Sequence, residues 1–128
     1  MYIIRFDGST ISLVTSGILS GTLPNTVATT INVNGIDYAV FISGYNIDFV
    51  TLITNNKGKK EVSLISGEIP ANRDYAAATT INVNGIDYAV FISYLKYVDI
   101  FTLITNSDGE KEVSLVASAE KLSVASGF

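Results

Sequence analysis

Residues 28–43 read ATTINVNGIDYAVFIS, and residues 78–93 read the same sixteen letters. Each copy carries an Asn-Gly pair near its middle, at 34–35 and 84–85. Asn-Gly is the strongest two-residue hairpin signal, because a type I′ turn needs positive φ at both positions. The turn predicts Val33 opposite Ile36, Asn32 opposite Asp37, Ile31 opposite Tyr38 and Thr29 opposite Val40. Residues that face each other across two strands share one side of the sheet. One side, here the tyrosine face, then carries Ile31, Val33, Ile36, Tyr38, Val40 and Ile42. The other, the alanine face, carries Thr30, Asn32, Asp37, Ala39 and Phe41. A one-residue slip would scramble this separation. The alanine face is polar beside the turn and apolar farther along, so hairpin A is expected to be partly covered on both sides.

Working outward, a second block follows each copy. Residues 51–64 read TLITNNKGKKEVSL and residues 102–115 read TLITNSDGEKEVSL, with eleven of fourteen letters shared. A two-residue turn at Lys57-Gly58 and Asp108-Gly109 would set Ile53 opposite Val62 and Ile104 opposite Val113. A fainter relative, YIIRFDGSTISLVTS, spans residues 2–16; a turn at Asp7-Gly8 would set Ile4 opposite Ile11. The order is therefore B, A, B, A, B. The chain reads as one all-β domain over 1–128, with pseudo-repeats 18–67 and 68–119 of about 50 residues and a half-repeat at 2–17. Five hairpins predict about ten strands, in an antiparallel β-barrel or β-sandwich. A trefoil needs a third complete unit. A propeller blade has four strands in this length, and two and a half blades close only with several chains. The segment 117–125 reads as a tail or a final strand, and the connectors 17–27 and 67–77, with Pro24 and Pro70, as ordered loops.

Composition removes whole classes of function. The chain has 128 residues with no Cys, no His and no Trp. Disulfide scaffolds, thiolate or imidazole metal sites, and Ser-His or Cys-His pairs are thereby excluded. Charged residues are 16% of the chain, against about 25% in ordinary soluble domains. The net charge is −4 and no basic cluster occurs, which speaks against nucleic acid. No secretory signal pattern opens the sequence, so synthesis in the cytoplasm is expected. No apolar run is long enough for a transmembrane helix. The expected strands are also too short for a membrane barrel, despite the terminal Phe128. No membrane partner is expected.

Candidate sites are few. Asn32, Asn34 and Asp37, with Asn82, Asn84 and Asp87, offer oxygen ligands around a turn. One carboxylate per turn is poor provision for Ca²⁺. Asp48 and Asp99 stand just before the B blocks, and aligned on the A blocks they are offset by one residue, which a bulge in the second copy would explain. Nothing in the sequence brings the two carboxylates together for acid/base chemistry. No enzyme, metal or cofactor is expected. Tyr38 and Tyr88 fall on the tyrosine face and are expected in the core. Tyr45, Tyr94 and Tyr97 lie in A-to-B connectors and Tyr75 in a longer loop. The B tips reverse sign, Lys57 and Lys59 against Asp108 and Glu110. Residues 18–67 sum to zero charge, and residues 68–119 to −4.

The unequal divergence carries a functional expectation. The A blocks match everywhere, while residues 18–27 and 68–77 match nowhere. The A hairpins are expected in equivalent environments, either as pseudo-symmetric core or as a repeated contact surface. That surface would include Asn32, Asp37, Asn82 and Asp87, the tip charges and the loop tyrosines. With a mean hydropathy of +0.38 and few charges, a monomer's surface is hard to cover. The expectation is a structural or assembly protein that forms a homo-oligomer, a trimer or other ring, within a larger assembly. A virion component such as a capsid cement (decoration) protein or a tail-fibre module, released by lysis, fits this composition. The alternative is a multivalent carbohydrate-binding module, against which the lack of Trp counts.

Overall fold

The computed structural model describes residues 2–6, 11–16, 26–69, 74–94 and 97–120. All regular structure among them is antiparallel β. The strands are β1 (Tyr2–Phe6), β2 (Ile11–Ser16), β3 (Thr26–Val33), β4 (Ile36–Ser43) and β5 (Asn46–Thr54). Then come β6 (Lys60–Glu68), β7 (Tyr75–Val83), β8 (Ile86–Ser93), β9 (Val98–Thr105) and β10 (Lys111–Ala119). Eight strands form two four-stranded sheets, in the orders β3-β4-β5-β6 and β10-β9-β8-β7, and β1 and β2 form a two-stranded sheet. No helix occurs among the described residues, hence none long and apolar enough to cross a membrane.

The A hairpins form in the expected register, with Val33↔Ile36, Asn32↔Asp37, Ile31↔Tyr38 and Thr29↔Val40, and the same pairs fifty residues on. The turns have φ of 52° at Asn34 and 85° at Gly35, and 54° and 85° at Asn84 and Gly85. Both signs are positive, as type I′ demands.

The closed barrel is not formed. The two sheets stay separate, with no backbone ladder between β3 and β7 among the described residues. Instead β3 lies against β7 and β8, and β6 against β10. The shared core contains Ile31, Tyr38, Val40, Ile42, Ile47 and Phe49 from the first sheet. From the second it takes Tyr75, Ala89, Phe91, Phe101 and Leu103. Rings of Tyr75, Phe91 and Phe101 meet edge to face, at 5.7 and 6.1 Å between centroids, the arrangement that aromatic quadrupoles favour.

These core members overturn the expectation of equivalent environments. The first sheet packs by its tyrosine face and the second by its alanine face. Three contacts fix this orientation. Thr29 Oγ1, on the tyrosine face, is 2.8 Å from Thr80 Oγ1, on the alanine face. A Cβ on Gly67, which pairs with Ile47, would lie 2.9 Å from the Cβ of Val113, which pairs with Leu103. The backbone amide of Asn32 donates to Asp87 Oδ2 at 2.7 Å. The sheets therefore stack front to back, not front to front. Sixteen identical residues are buried on opposite sides because both sides of ATTINVNGIDYAVFIS can be covered.

The cause lies in the next strand. Phe49 opposes Val40 on the tyrosine side of the first sheet. Phe101 opposes Ala89 on the alanine side of the second. Asp48 and Asp99 both oppose the A-block phenylalanine, Phe41 or Phe91. The one-residue offset is therefore no bulge, because β8 and β9 pair without a shift from Ala89 to Ile92. The extra residue is taken up in the connector before β9. Register shifts occur instead at Tyr75/Ala77 and Leu115/Ala117.

Several further expectations are corrected. Leu52, not Ile53, opposes Val62, and Leu103, not Ile104, opposes Val113. The B loop holds three residues, not two. Asn55 N donates to Lys59 O at 2.8 Å, Gly58 N donates to Asn55 O at 3.0 Å, and Gly58 has φ of 77°. This is a type I turn followed by a left-handed glycine. The odd loop length shifts each cross-strand pairing by one residue, and Ile53 and Ile104, near the strand ends, are both exposed. In β1–β2, Ile4 opposes Leu13, and Ile11 opposes Phe6. Tyr75 sits in β7, not in a loop, and is buried. Residues 117–119 complete β10. Residues 121–128, and the connector stretches with Pro24 and Pro70, lie outside the described residues.

Candidate functional site: the uncovered face of the second sheet

Front-to-back stacking leaves the tyrosine face of the second sheet pointing away from the core. Ile81, Val83, Ile86 and Ile104 are all more than 40% exposed there, Tyr88, Ile92 and Ile100 are partly buried, and Val90 and Thr102 on the same side are buried. The contrast with the first copy is direct: Ile31 is 1% exposed and its twin Ile81 is 41% exposed. Tyr38 is buried, and Tyr88 only partly so. On the alanine side the contrast reverses. Ala89 and Phe91 are fully buried, whereas Ala39 and Phe41 are partly buried and Thr30 is exposed, although Ser43, Asp48 and Val50 on the same side of the first sheet are buried.

The Asn/Asp motif is a turn lock. Asn32 Oδ1 accepts from Gly35 N at 3.1 Å, and its Nδ2 donates to Asp37 Oδ1 at 2.8 Å. Asn82 repeats this with Gly85 N at 3.2 Å and Asp87 Oδ1 at 2.8 Å. This accounts for the identity of these polar residues in both copies. Asp87 has the further role of receiving the Asn32 amide. The Asn82 side chain, then that amide, holds its carboxyl below the ordinary aspartate range.

The remaining candidates are spread over the surface. Lys57 and Lys59 lie on one exposed B tip, Asp108 and Glu110 on the other. The loops are alike: Asn55 Oδ1 accepts from Lys57 N and Lys59 N, and Asn106 Oδ1 from Asp108 N and Glu110 N. Tyr45 and Tyr94 are 58% and 75% exposed, in the turns at the opposite ends of β4 and β8. Tyr97 is partly buried, its amide bonded to Ser93 Oγ at 2.9 Å. The structure does not gather these tyrosines with Asn32 or Asp37.

Asp48 and Asp99 are 2% and 0% exposed. Ser66 Oγ donates to Asp48 Oδ1 at 2.5 Å. Tyr75 Oη and Ser118 Oγ both donate to Asp99. Each carboxylate thus anchors its own sheet, and the first sheet lies between them. These hydrogen bonds of the two carboxylates stay within their own sheets. An open cleft of about 280 Å³ runs between the A tips, lined among others by Asn32, Asn34, Asp87 and Lys111, and it has no aromatic wall. Among the described residues no cluster of three His, Cys, Asp or Glu is placed to hold a metal. Comparison with known proteins finds no matching family model, no matching curated protein and no matching solved structure.

Proposed function

We propose that the chain is a non-enzymatic structural protein that assembles with copies of itself, as part of a larger particle. A virion component, such as a capsid decoration or tail-fibre module released with the particle, is the role this composition fits best. The observation that carries the reading is the exposed apolar edge of the tyrosine face of the second sheet, beside the A tip. Ile81, Val83, Ile86 and Ile104 form one apolar surface on strands that are already paired. Covering such a surface gains about 25 cal/mol per Å² removed from water. The roughly 50-residue repeat then reads as a layer. Each layer offers one face to the layer before it and the other to the layer after it. A multivalent sugar-binding module would want an aromatic platform beside polar groups, and the cleft between the A tips lacks one.

Light scattering on the purified full-length chain tests self-assembly. The expected result is a mass that is a multiple of 13.7 kDa and rises with concentration. A monomer throughout the micromolar range would overturn the reading. A bound glycan alongside a monomeric mass would put the sugar-binding module in its place.

A further inference from the structure

We propose that the tyrosine face of β7–β8 in one copy seats on the alanine face of β3–β4 in a second copy, repeating between copies the contact that β3–β4 makes with β7–β8 within the chain. The proposal rests on the self-assembly reading and names its joint. The two blocks are identical over sixteen residues. The chain therefore already contains a worked example of this surface packing on itself. Ile31 and Tyr38 are buried in that contact, and Ile81 and Tyr88 are their unburied twins. Ala89 and Phe91 receive them, and Ala39 and Phe41 are the twins of the receivers.

The polar contacts transfer in the same way. Thr29 meets Thr80 within the chain, so Thr79 meets Thr30 across copies; both are exposed. The Asn32 amide meets Asp87 within the chain, so the Asn82 amide meets Asp37 across copies. Charge agrees with this orientation. The tip with Asp108 and Glu110 would approach the tip with Lys57 and Lys59 of the next copy, acid against base. The hairpin β1–β2 has a part in the joint. β2 lies against β6, and β6 against β10. An incoming β9–β10 would also reach β6, so the joint requires β1–β2 to give way there. Contacts of this head-to-tail kind grow into fibres, or close into rings where the rotation per copy allows.

The chain has no cysteine, so introduced thiols report on the joint cleanly. Thr29→Cys with Thr80→Cys in one chain is the control, and should close within the monomer. Thr79→Cys chains are then mixed with Thr30→Cys chains and oxidised. The expected result is a covalent dimer from the mixture, increasing with concentration, and none from either variant alone. An equal yield from Thr79→Cys alone overturns the joint in favour of two-fold packing. No covalent dimer, with oligomers still seen by light scattering, overturns the joint and leaves self-assembly standing. A monomer in every mixture overturns both.

Discussion

Ile31 and Ile81 are the same residue in the same sixteen-letter context, and they should answer mutation differently. Ile31 is buried in the core, so Ile31→Ala should cost about 2–5 kcal/mol of stability in urea denaturation. Ile81 is exposed, and Ile81→Ala should change monomer stability by roughly 0.5 kcal/mol or less while weakening assembly. Equal losses at the two sites would show that the blocks are packed alike. Asp87 gives a pH signature. Its carboxyl is lowered by the Asn82 side chain first and the Asn32 amide second. A depressed acid contributes stability above its unfolded pKa, about 3.9. That contribution disappears as pH falls through the folded value. Asp87→Asn should therefore flatten the stability profile below about pH 4 and leave its shape at neutral pH unchanged, as read by thermal melts at stepped pH.

The elements explain what was legible in the sequence and what was not. The A register was legible because Asn-Gly specifies a two-residue loop and the face pattern allows only one alignment. The B register was missed by one residue. Its signal was present as Asn55 and Gly58, the first and fourth positions of a type I turn with a left-handed glycine. Gly58→Ala meets nothing within 4 Å, so its cost, about 1 kcal/mol, should be conformational alone. The choice of face was not legible in the A blocks, since identical letters carry no difference. It was present one strand later, in Asp48-Phe49-Val50 against Asp99-Ile100-Phe101. That shift moves the large ring from one side of the sheet to the other. Phe101→Ala should cost about 3–5 kcal/mol, as a ring lost from the core does; Ile100→Ala, on the outward face, should cost clearly less. The burial of Tyr75 had no sequence signal, because the segment before it has no period and the bond to Asp99 spans 24 residues.

At the scale of the molecule, the all-β class, the antiparallel pairing and the hairpins were legible, and the separation of the two sheets was not. Strand period identifies which residues share a side, but how two sheets meet depends on contacts far apart in the chain. Gly67 against Val113 is one of these. Gly67→Ala should destabilise by roughly 1–3 kcal/mol through overpacking, and Val113→Ala in the same chain should recover part of the loss. A double-mutant cycle reads that coupling; purely additive losses would mean the two sheets do not meet there. Reversing Lys57 and Lys59 to Glu should weaken assembly at low salt and matter little at high salt. Light scattering at both ionic strengths measures this, and an unchanged mass would separate the tips from the joint.

Two identical hairpins in two different seats also bear on how the chain folds. The local instructions of residues 28–43 and 78–93 are the same, so neither hairpin can recognise its own seat. Only the flanking strands, with Phe49 on one side and Phe101 on the other, resolve the ambiguity. A collapsed chain can place the second hairpin where the first belongs and must then undo the exchange. Refolding should accordingly show a slow phase, which disappears when Tyr88→Thr and Ile81→Thr make the second block unfit for the buried tyrosine-side seat.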